Sequence, residues 1–517
     1  MRSISKEKIF IIILILFSLS INQYYGNRGI FPVDSFAHFD TGFRILLGEH
    51  PFKNYWTVSG PFVDYIQAIF FYFLGVSWQS YVFHASLINA VLSVATFVVF
   101  RNFNLNIYYS FIYSLLFSVL AYPTSGTPFV DHHSAFFSLL GIYTLILGIK
   151  NENKISWILL PIFFGLAFLS KQAPSSYVII LAIIILSIFT LLEKKYYWIK
   201  YSFLSSILFI LLVLFFGNMQ GINLSSFLDQ YFFYPQSIAS ERIENFSFTF
   251  RGVIDHFKFI YIAITPLFFT NFKKIFFEKN YYKNKDFYYF LILTLFTFCL
   301  ILHQLLTKNQ TFIFFLIPIL FGFSQIYLRL SKTNYVSLIL ISICLFAVTK
   351  YHIRFNENRK FHELNYVNFD LSSNGKEIDK RFNGLKWITP QYKNKPSDEI
   401  DLINGVKFYL SNDDRSKMVI TNYSFFSSIL NEKLFSPSRW YLSDGSAYPL
   451  KSNKYFTSYK NLFLNIIKKN KIKVIYTVYP QKSSIIYKLL DKNCFTEIKI
   501  SKMLNSYEMK GCYEING

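Results

Sequence analysis

Charged residues are scarce in this chain of 517 residues. They make up 16% of the sequence, whereas soluble globular proteins have roughly 25%. Hydrophobic residues account for 53%. This balance excludes an ordinary soluble protein and predicts an integral membrane protein.

Acidic residues and cysteines are also few. The chain has 30 Asp and Glu against 52 Lys and Arg, which gives a net charge of +22. In a soluble chain this excess would favour nucleic-acid binding, but here the basic residues are spread over short loops and the C-terminal third. We therefore expect no nucleic-acid partner. The 4 cysteines are too few for a disulfide framework, and no Cys/His metal-binding spacing occurs. Pairing of Cys494 with Cys512 stays open.

Long apolar runs are what the sequence has in abundance. A spanning helix needs about 20 mostly apolar residues. The candidate spans are 9–25, 81–100, 106–121, 133–149, 155–170, 174–192, 200–216, 253–270, 287–306, 311–328 and 334–350. The first follows a basic start and lacks a small-residue cleavage pattern, so we interpret it as a retained helix and not a signal peptide.

A further short segment, 61–75, decides the topology. If it packs as an interfacial helix, most Lys and Arg of the loops lie on the same side as the N-terminus, and if it spans, that bias is broken. The positive-inside rule therefore predicts eleven spans, a cytoplasmic N-terminus and a C-terminus outside. Residues 1–350 are predicted to form the membrane domain, with interfacial helices in the first outer loop.

Residues 351–517 are polar and contain no run of membrane length. The patterning predicts helices at 401–411 and 483–490 and strands at 417–421, 471–478 and 495–500. Strands that alternate with helices indicate a small soluble α/β domain. The predicted topology places this domain outside the membrane.

The first outer loop carries candidate catalytic chemistry. If residues 35–47 are helical, Asp34 and His38 lie one turn apart, opposite an apolar stripe of Phe and Leu, as in a helix lying flat on a bilayer. Asp34 is then a candidate general base, with His38 and Asp40 as candidate substrate-binding residues. The alternative for Asp34 is a helix N-cap.

The other outer loops hold the second candidate group. Asp131 is a possible second catalytic carboxylate, with a helix-terminal acid as the alternative. The remaining candidates for binding substrate are His132, His133, Lys171, His303 and Lys308. The last three are suited to pairing with a lipid phosphate, or they are polar span ends that snorkel. Asp34, Asp131 and His132 are candidates for holding a divalent metal ion.

Five segments in order resemble the GT-C superfamily of polytopic glycosyltransferases, in its bacterial branch beside protein O-mannosyltransferases and lipid A aminoarabinose transferases. They are VDSFAHFDTGFRILLGEHPF, GPFVDYIQAIFFYFLG, TPFVDHHSAFF, GLAFLSKQAP and HQLLTKNQTFIFFLIPIL. The resemblance implies that Asp34 is the acid that activates the acceptor, that Asp131 is the second-loop acid and that His303 and Lys308 lie near the lipid phosphate. Ser35 stands where the family usually has Glu.

The resemblance implies an inverting hexosyl or pentosyl transferase. The donor would be a polyprenyl-phosphate sugar and the acceptor a hydroxyl of a lipid, glycan or protein, on the outer face of a bacterial inner membrane. No cofactor is certain, and a divalent metal ion stays open. A transporter or flippase would carry polar residues within its spans. The candidate spans of this chain are nearly free of charged residues, which counts against that alternative. A polymerase or ligase of lipid-linked glycans would place its large outer loop between late spans.

Overall fold

The structure, a computed structural model, describes residues 6–122, 124–244, 249–307, 313–328, 335–442, 444–479 and 484–511. The chain forms two compact units. Unit 1 comprises Met1–Gly26, Val82–Leu214 and Arg242–Phe361. Unit 2 comprises Asn27–Tyr81, Phe215–Glu241 and His362–Gly517.

Helices dominate the chain up to the end of the last predicted span. They are α1 (Lys6–Gly26), α2 (Pro32–Leu46), α3 (Pro61–Leu74), α4 (Trp78–Asn102), α5 (Ile107–Leu120), α6 (Val130–Asn151), α7 (Lys154–Ser170), α8 (Gln172–Glu193), α9 (Tyr197–Met219), α10 (Leu224–Leu228), α11 (Tyr234–Glu244), α12 (Lys258–Phe277), α13 (Lys285–Thr307), α14 (Leu316–Tyr327) and α15 (Tyr335–His352). Backbone groups in a bilayer must be satisfied within the segment, which is why apolar runs of this length become helices.

Each predicted span coincides with one of these helices. In the part of the chain that the structure describes, 8 helices are long and apolar enough to cross a membrane: α1, α4, α6, α8, α9, α12, α13 and the helix that starts at Tyr335. The helices at the other predicted spans, α5, α7 and α14, have 14, 17 and 12 residues. The protein is a multi-pass integral membrane protein.

The helix α6 forms the centre of unit 1, with 89% of its apolar window buried, whereas only 6% of the α9 window is buried. Two glycines let α7 approach α6 closely. A Cβ at Gly141 would lie 2.3 Å from the ring of Phe164, and one at Gly148 would lie 2.9 Å from Trp157. Small residues at helix contacts allow such close approach in membranes. This packing fixes the ends of α6 and α7, where candidate residues lie.

Unit 2 contains a four-stranded mixed sheet in the order β3-β4-β6-β5. Its elements after residue 361 are β1 (Ser373–Asn374), β2 (Lys386–Trp387), α16 (Pro396–Ser411), β3 (Lys417–Ile420), α17 (Phe426–Leu430), α18 (Phe456–Lys469), β4 (Val474–Val478), α19 (Ser484–Leu489), β5 (Phe495–Lys499) and β6 (Leu504–Met509). Strands β3 and β4 are parallel, which requires a crossover such as the one α18 provides. The α/β pattern predicted for this region is confirmed, although β6 and α18 were not predicted.

Segments of the loop between α1 and α4 pack within unit 2 and join its C-terminal region through the backbone. The amide of Gly29 donates to the carbonyl of Lys386 (3.1 Å), and the amide of Trp56 donates to the carbonyl of Pro437 (2.8 Å). The predicted division at residue 350 into a membrane domain and a separate soluble domain stays a prediction. In the compact units, however, the first loop and residues 215–241 pack with the C-terminal region.

The predicted apolar stripe of α2 does not lie on a bilayer. Phe36 and Phe39 are fully buried, and Phe43 is nearly so. The ring of Phe36 contacts those of Trp387 and Phe425, with centroids 5.9 and 4.8 Å away. The interpretation of α2 as a surface helix is therefore wrong, because aromatic side chains of unit 2 cover its apolar face.

The helix α3 does keep the exposed apolar surface expected of an interfacial helix. Tyr72 and Phe73 are each 75% exposed. Ile69 and Leu74, on the same end of the helix, are also exposed. Only the opposite face, with Asp64, is buried.

Candidate functional sites

In unit 1, three of the predicted residues meet in one buried cluster. Asp131 lies in the first turn of α6, Lys171 lies between α7 and α8, and His303 lies near the end of α13. The Nζ of Lys171 is 2.7 Å from Asp131 Oδ1, and the Nε2 of His303 is 3.2 Å from the same oxygen. The N-cap of α6 is Phe129, so Asp131 does not cap the helix.

The backbone at the α7–α8 junction holds Lys171 in place. The backbone of Lys171 is extended, with φ −162° and ψ 138°. Its amide donates to the carbonyl of Ala167 (3.0 Å), and its carbonyl accepts from the hydroxyls of Ser134 (3.2 Å) and Ser175 (2.5 Å). Lys171 therefore pairs with a buried acid instead of extending to the membrane surface as a snorkelling side chain would.

The two predicted histidines of α6 are buried beside this cluster and have protein partners. The rings of His133 and His84 approach to 3.0 Å between their Nε2 atoms. The Nε2 of His132 lies 3.3 Å from the hydroxyl of Thr124, and the ring of Tyr122 packs on His132 at 4.8 Å. Their role in binding substrate stays a prediction.

Unit 2 contains a second buried cluster, centred on Asp64 of α3. This carboxylate has no exposed surface. Its Oδ1 lies 2.6 Å from His38 Nδ1 and accepts a hydrogen bond of 2.6 Å from Thr41, and its Oδ2 lies 3.1 Å from Arg439 Nη1. Burial lowers the pKa of His38, although the hydrogen bond to Asp64 opposes the shift. The sequence marked Asp64 only as a polar residue in an apolar segment.

Arg44 organises the neighbouring part of unit 2. Its Nε lies 2.9 Å from Glu49 Oε2, its Nη2 donates to the carbonyl of Ser436 (2.9 Å), and its guanidinium lies 4.3 Å from the centre of the Tyr55 ring. Asp40 is 3.9 Å from the same guanidinium. Burial raises the pKa of Asp40 to about 7, against the opposing effect of Arg44.

Asp34 lies at the third position of α2 and is partly exposed. The helix begins at Pro32 with Phe31 as its N-cap. The amide of Phe31 donates to the hydroxyl of Ser35 (3.0 Å). Asp34 is therefore not the N-cap of α2. It lies one helical turn before His38, as predicted.

A basic cavity of about 410 Å³ lies in unit 1 and was not predicted. Its cationic lining residues are Arg251, Lys258, Lys350 and Arg354. Two π-helical segments contribute to it, Arg251–Asp255 and Ile353–Glu357, and such segments are frequent at functional sites. No pattern in the sequence marks this cavity, because its residues come from the segment that leads into α12 and from the end of α15 and the segment after it.

Exposed apolar side chains lie next to the lining residues of this cavity along the chain. Phe250 is 72% exposed and Phe346 is 63% exposed. Ile254 and Ile353, which belong to the two π-helical segments, are also exposed. Cations bordered by exposed apolar side chains fit the boundary between lipid tails and head groups.

The remaining predicted residues give no further site. Lys308 and Cys512 lie outside the described residues. In the described ranges, no group of three or more His, Cys, Asp or Glu side chains is arranged to hold a metal ion. The candidate metal ligands Asp34, Asp131 and His132 therefore do not form such a group there.

Comparisons with known proteins agree with the resemblance found in the motifs. Residues 50–219 match the family described as dolichyl-phosphate-mannose-protein mannosyltransferase. The fold is similar to that of ArnT from Cupriavidus metallidurans, whose crystal structure was determined with undecaprenyl phosphate bound. The TM-score is 0.52 at 8% sequence identity, and 98% of each chain is covered. No curated protein matches the sequence. The predicted resemblance to GT-C glycosyltransferases is confirmed.

Proposed function

We propose that this protein transfers a sugar from a polyprenyl-phosphate donor to an acceptor hydroxyl on the outer face of a bacterial inner membrane. The family match and the ArnT-like fold support this reaction class. The proposed topology has eleven spans, a cytoplasmic N-terminus and unit 2 outside, in line with the distribution of loop charges.

The basic cavity of unit 1 is the observation that carries the proposal. Lys258 is paired with Asp255 at 2.8 Å, which leaves Arg251, Lys350 and Arg354 without a carboxylate partner among the residues that the structure describes. A phosphate at the membrane surface requires such unpaired cations, since a desolvated charge must be paired. By contrast, Asp131 already neutralises Lys171. We therefore propose that the phosphate of the donor binds in this cavity.

Asp34 is proposed as the general base. It accepts the proton of the acceptor hydroxyl as the oxygen attacks the anomeric carbon, and the bond from that carbon to the phosphate oxygen breaks. The phosphate leaves with the bonding electrons, and its charge is balanced by the cations of its site. A single displacement inverts the configuration at the anomeric carbon. Asp131 then acts as a positioning residue that fixes Lys171 and His303.

The test removes two cations from the cavity. Lys350→Ala/Arg354→Ala should weaken binding of undecaprenyl phosphate to the detergent-purified protein by about 10²–10⁴-fold, since two charge-assisted contacts at about 1.5–3 kcal/mol each are lost. The matched control, Lys273→Ala/Lys279→Ala, removes the same charge from exposed positions at the end of α12 and just after it, and should bind normally.

Lys171→Ala tests the alternative phosphate site. If this variant loses undecaprenyl phosphate while the cavity variant retains it, the phosphate binds at the Asp131 cluster and not in the cavity. If all variants and the wild type fail to bind the lipid, the proposed donor is wrong.

A further inference from the structure

Unit 2 contains a polar groove of about 300 Å³. Three segments of the chain line it: the loop that follows α2, the region from Gly221 to Gln230, and one face of α18. Its volume is at the lower end of the roughly 300–1,000 Å³ found for small-molecule sites. None of the predicted catalytic, substrate-binding or metal-binding residues lines this groove.

Hydrogen-bonding groups line both sides of this groove. Ser458, Asn461 and Asn465 recur every three to four residues and therefore share one face of α18. Ser226 and Asp229 are one turn apart on the opposite wall. The side chains of all five make no hydrogen bond to any other residue that the structure describes. Hydroxyl groups are thus available on both walls, amides on the wall formed by α18 and a carboxylate on the opposite wall.

The walls of the groove are held in place by internal contacts. The side chain of Gln230 accepts from the amide of Thr57 (2.9 Å) and donates to the carbonyl of Phe52 (3.1 Å). The ring of Trp56 packs edge-on against Tyr234 and Tyr459, with centroids 5.6 and 5.8 Å away. A site whose supporting side chains are already fixed loses little entropy when a ligand binds.

The residue types in the groove select the class of ligand. Amides and hydroxyls both donate and accept hydrogen bonds, which suits a molecule with many hydroxyl groups. Among the described residues that line the groove, Lys53 is the one cation, and it donates to the carbonyl of Gln220 at 2.8 Å. Asp229 contributes a negative charge, so an anionic ligand is disfavoured. Trp56 adds an aromatic ring whose Nε1 makes no hydrogen bond to the described part of the chain.

We propose that this groove binds the acceptor and that the acceptor is a glycan. The inference rests on the proposed glycosyltransferase function, and it selects glycan from the three acceptor classes that remain open. The groove holds sugar units of the acceptor through their hydroxyls and contributes no group to the chemical step. A peptide acceptor would require pockets for its side chains, whereas the groove offers a run of amides and hydroxyls.

A glycan array tests this proposal with the labelled full-length protein in detergent. The probes are immobilised oligosaccharides of hexoses, N-acetylhexosamines and uronic acids, beside a set of immobilised peptides. The wild type should bind a subset of the glycans. Asn461→Ala/Asn465→Ala should lower this signal at least five-fold, and because both residues are exposed on a helix and Ala favours helix, the variant should fold. Asn412→Ala, an exposed residue outside the groove, should bind as the wild type does.

Three outcomes would overturn the proposal that the groove binds a glycan: no glycan bound by the wild type, an unchanged signal in the double variant, or binding to peptides alone. Undecaprenyl phosphate binding is measured on the same samples to separate this inference from the proposed function. Loss of glycan binding with normal lipid binding supports both. Glycan binding that depends on the groove, together with no lipid binding in the wild type, would refute the donor and leave the groove intact.

Discussion

Substitution of Asp64 by Asn tests whether the buried cluster of unit 2 holds the segment between α1 and α4 to the C-terminal region. Asn has the same shape but no charge, so Arg439 would remain as a buried cation whose Nη2 already lacks a hydrogen bond within the described residues. Arg439 is 3% exposed and Asp64 is fully buried. Removing one partner of such a pair costs about 3–5 kcal/mol.

The assay is thermal unfolding of the purified protein in detergent. For a unit of this size, that loss corresponds to a fall in apparent Tm of about 6–20 °C. Arg439→Gln should also destabilise strongly, because it leaves the Asp64 charge buried. The double variant should lose less than the sum of the two, since neither charge is then left alone.

The control is Asp398→Asn, which removes an acid from the exposed pair with Lys395 and should leave the apparent Tm unchanged. The reasoning is refuted if Asp64→Asn costs less than about 1 kcal/mol, well below the value for a broken buried pair, or if the two single substitutions add. Either result would mean that water or other groups compensate Arg439.

Asp34→Asn should reduce sugar transfer by about 10²–10⁴-fold with normal insertion in the membrane, and near-normal transfer would assign the base to another residue. Asp40→Asn tests the pH dependence of stability: because the pKa of Asp40 is raised to about 7 in the folded protein, the folded state binds the extra proton, and wild-type stability falls as pH rises from about 4 to 7. The variant should therefore gain apparent Tm over the wild type at pH 8 but not at pH 4, and an equal difference at both values would contradict the assignment. Cysteine labelling at Asn280 and Lys376 should place the first inside and the second outside, whereas labelling from one side would exclude the eleven-span topology.

Local features of the sequence determined the class of the protein and its helices. The apolar runs predict a helix at each expected span, because a helix in a bilayer must satisfy its own backbone within one continuous segment, and 8 of these helices in the described part of the chain are long and apolar enough to cross a membrane. The strands at 417–421, 471–478 and 495–500 follow from local alternation and β-propensity in the same way, and the structure has β3, β4 and β5 there. The motifs also identified Asp131, Lys171 and His303 separately, each from its position at the end of a span.

Only the tertiary structure decided which of these side chains meet. Asp131 is 40 residues from Lys171 and 172 residues from His303 in the chain, and Asp64 is 375 residues from Arg439. No periodicity within a segment can encode contacts at such separations. The burial of α2 was mispredicted for the same reason: its pattern shows an apolar face, but whether lipid or protein covers that face depends on partners elsewhere in the chain. The basic cavity and the polar groove likewise arise where separate segments come together, so the local pattern identifies candidate residues and the packing determines the sites.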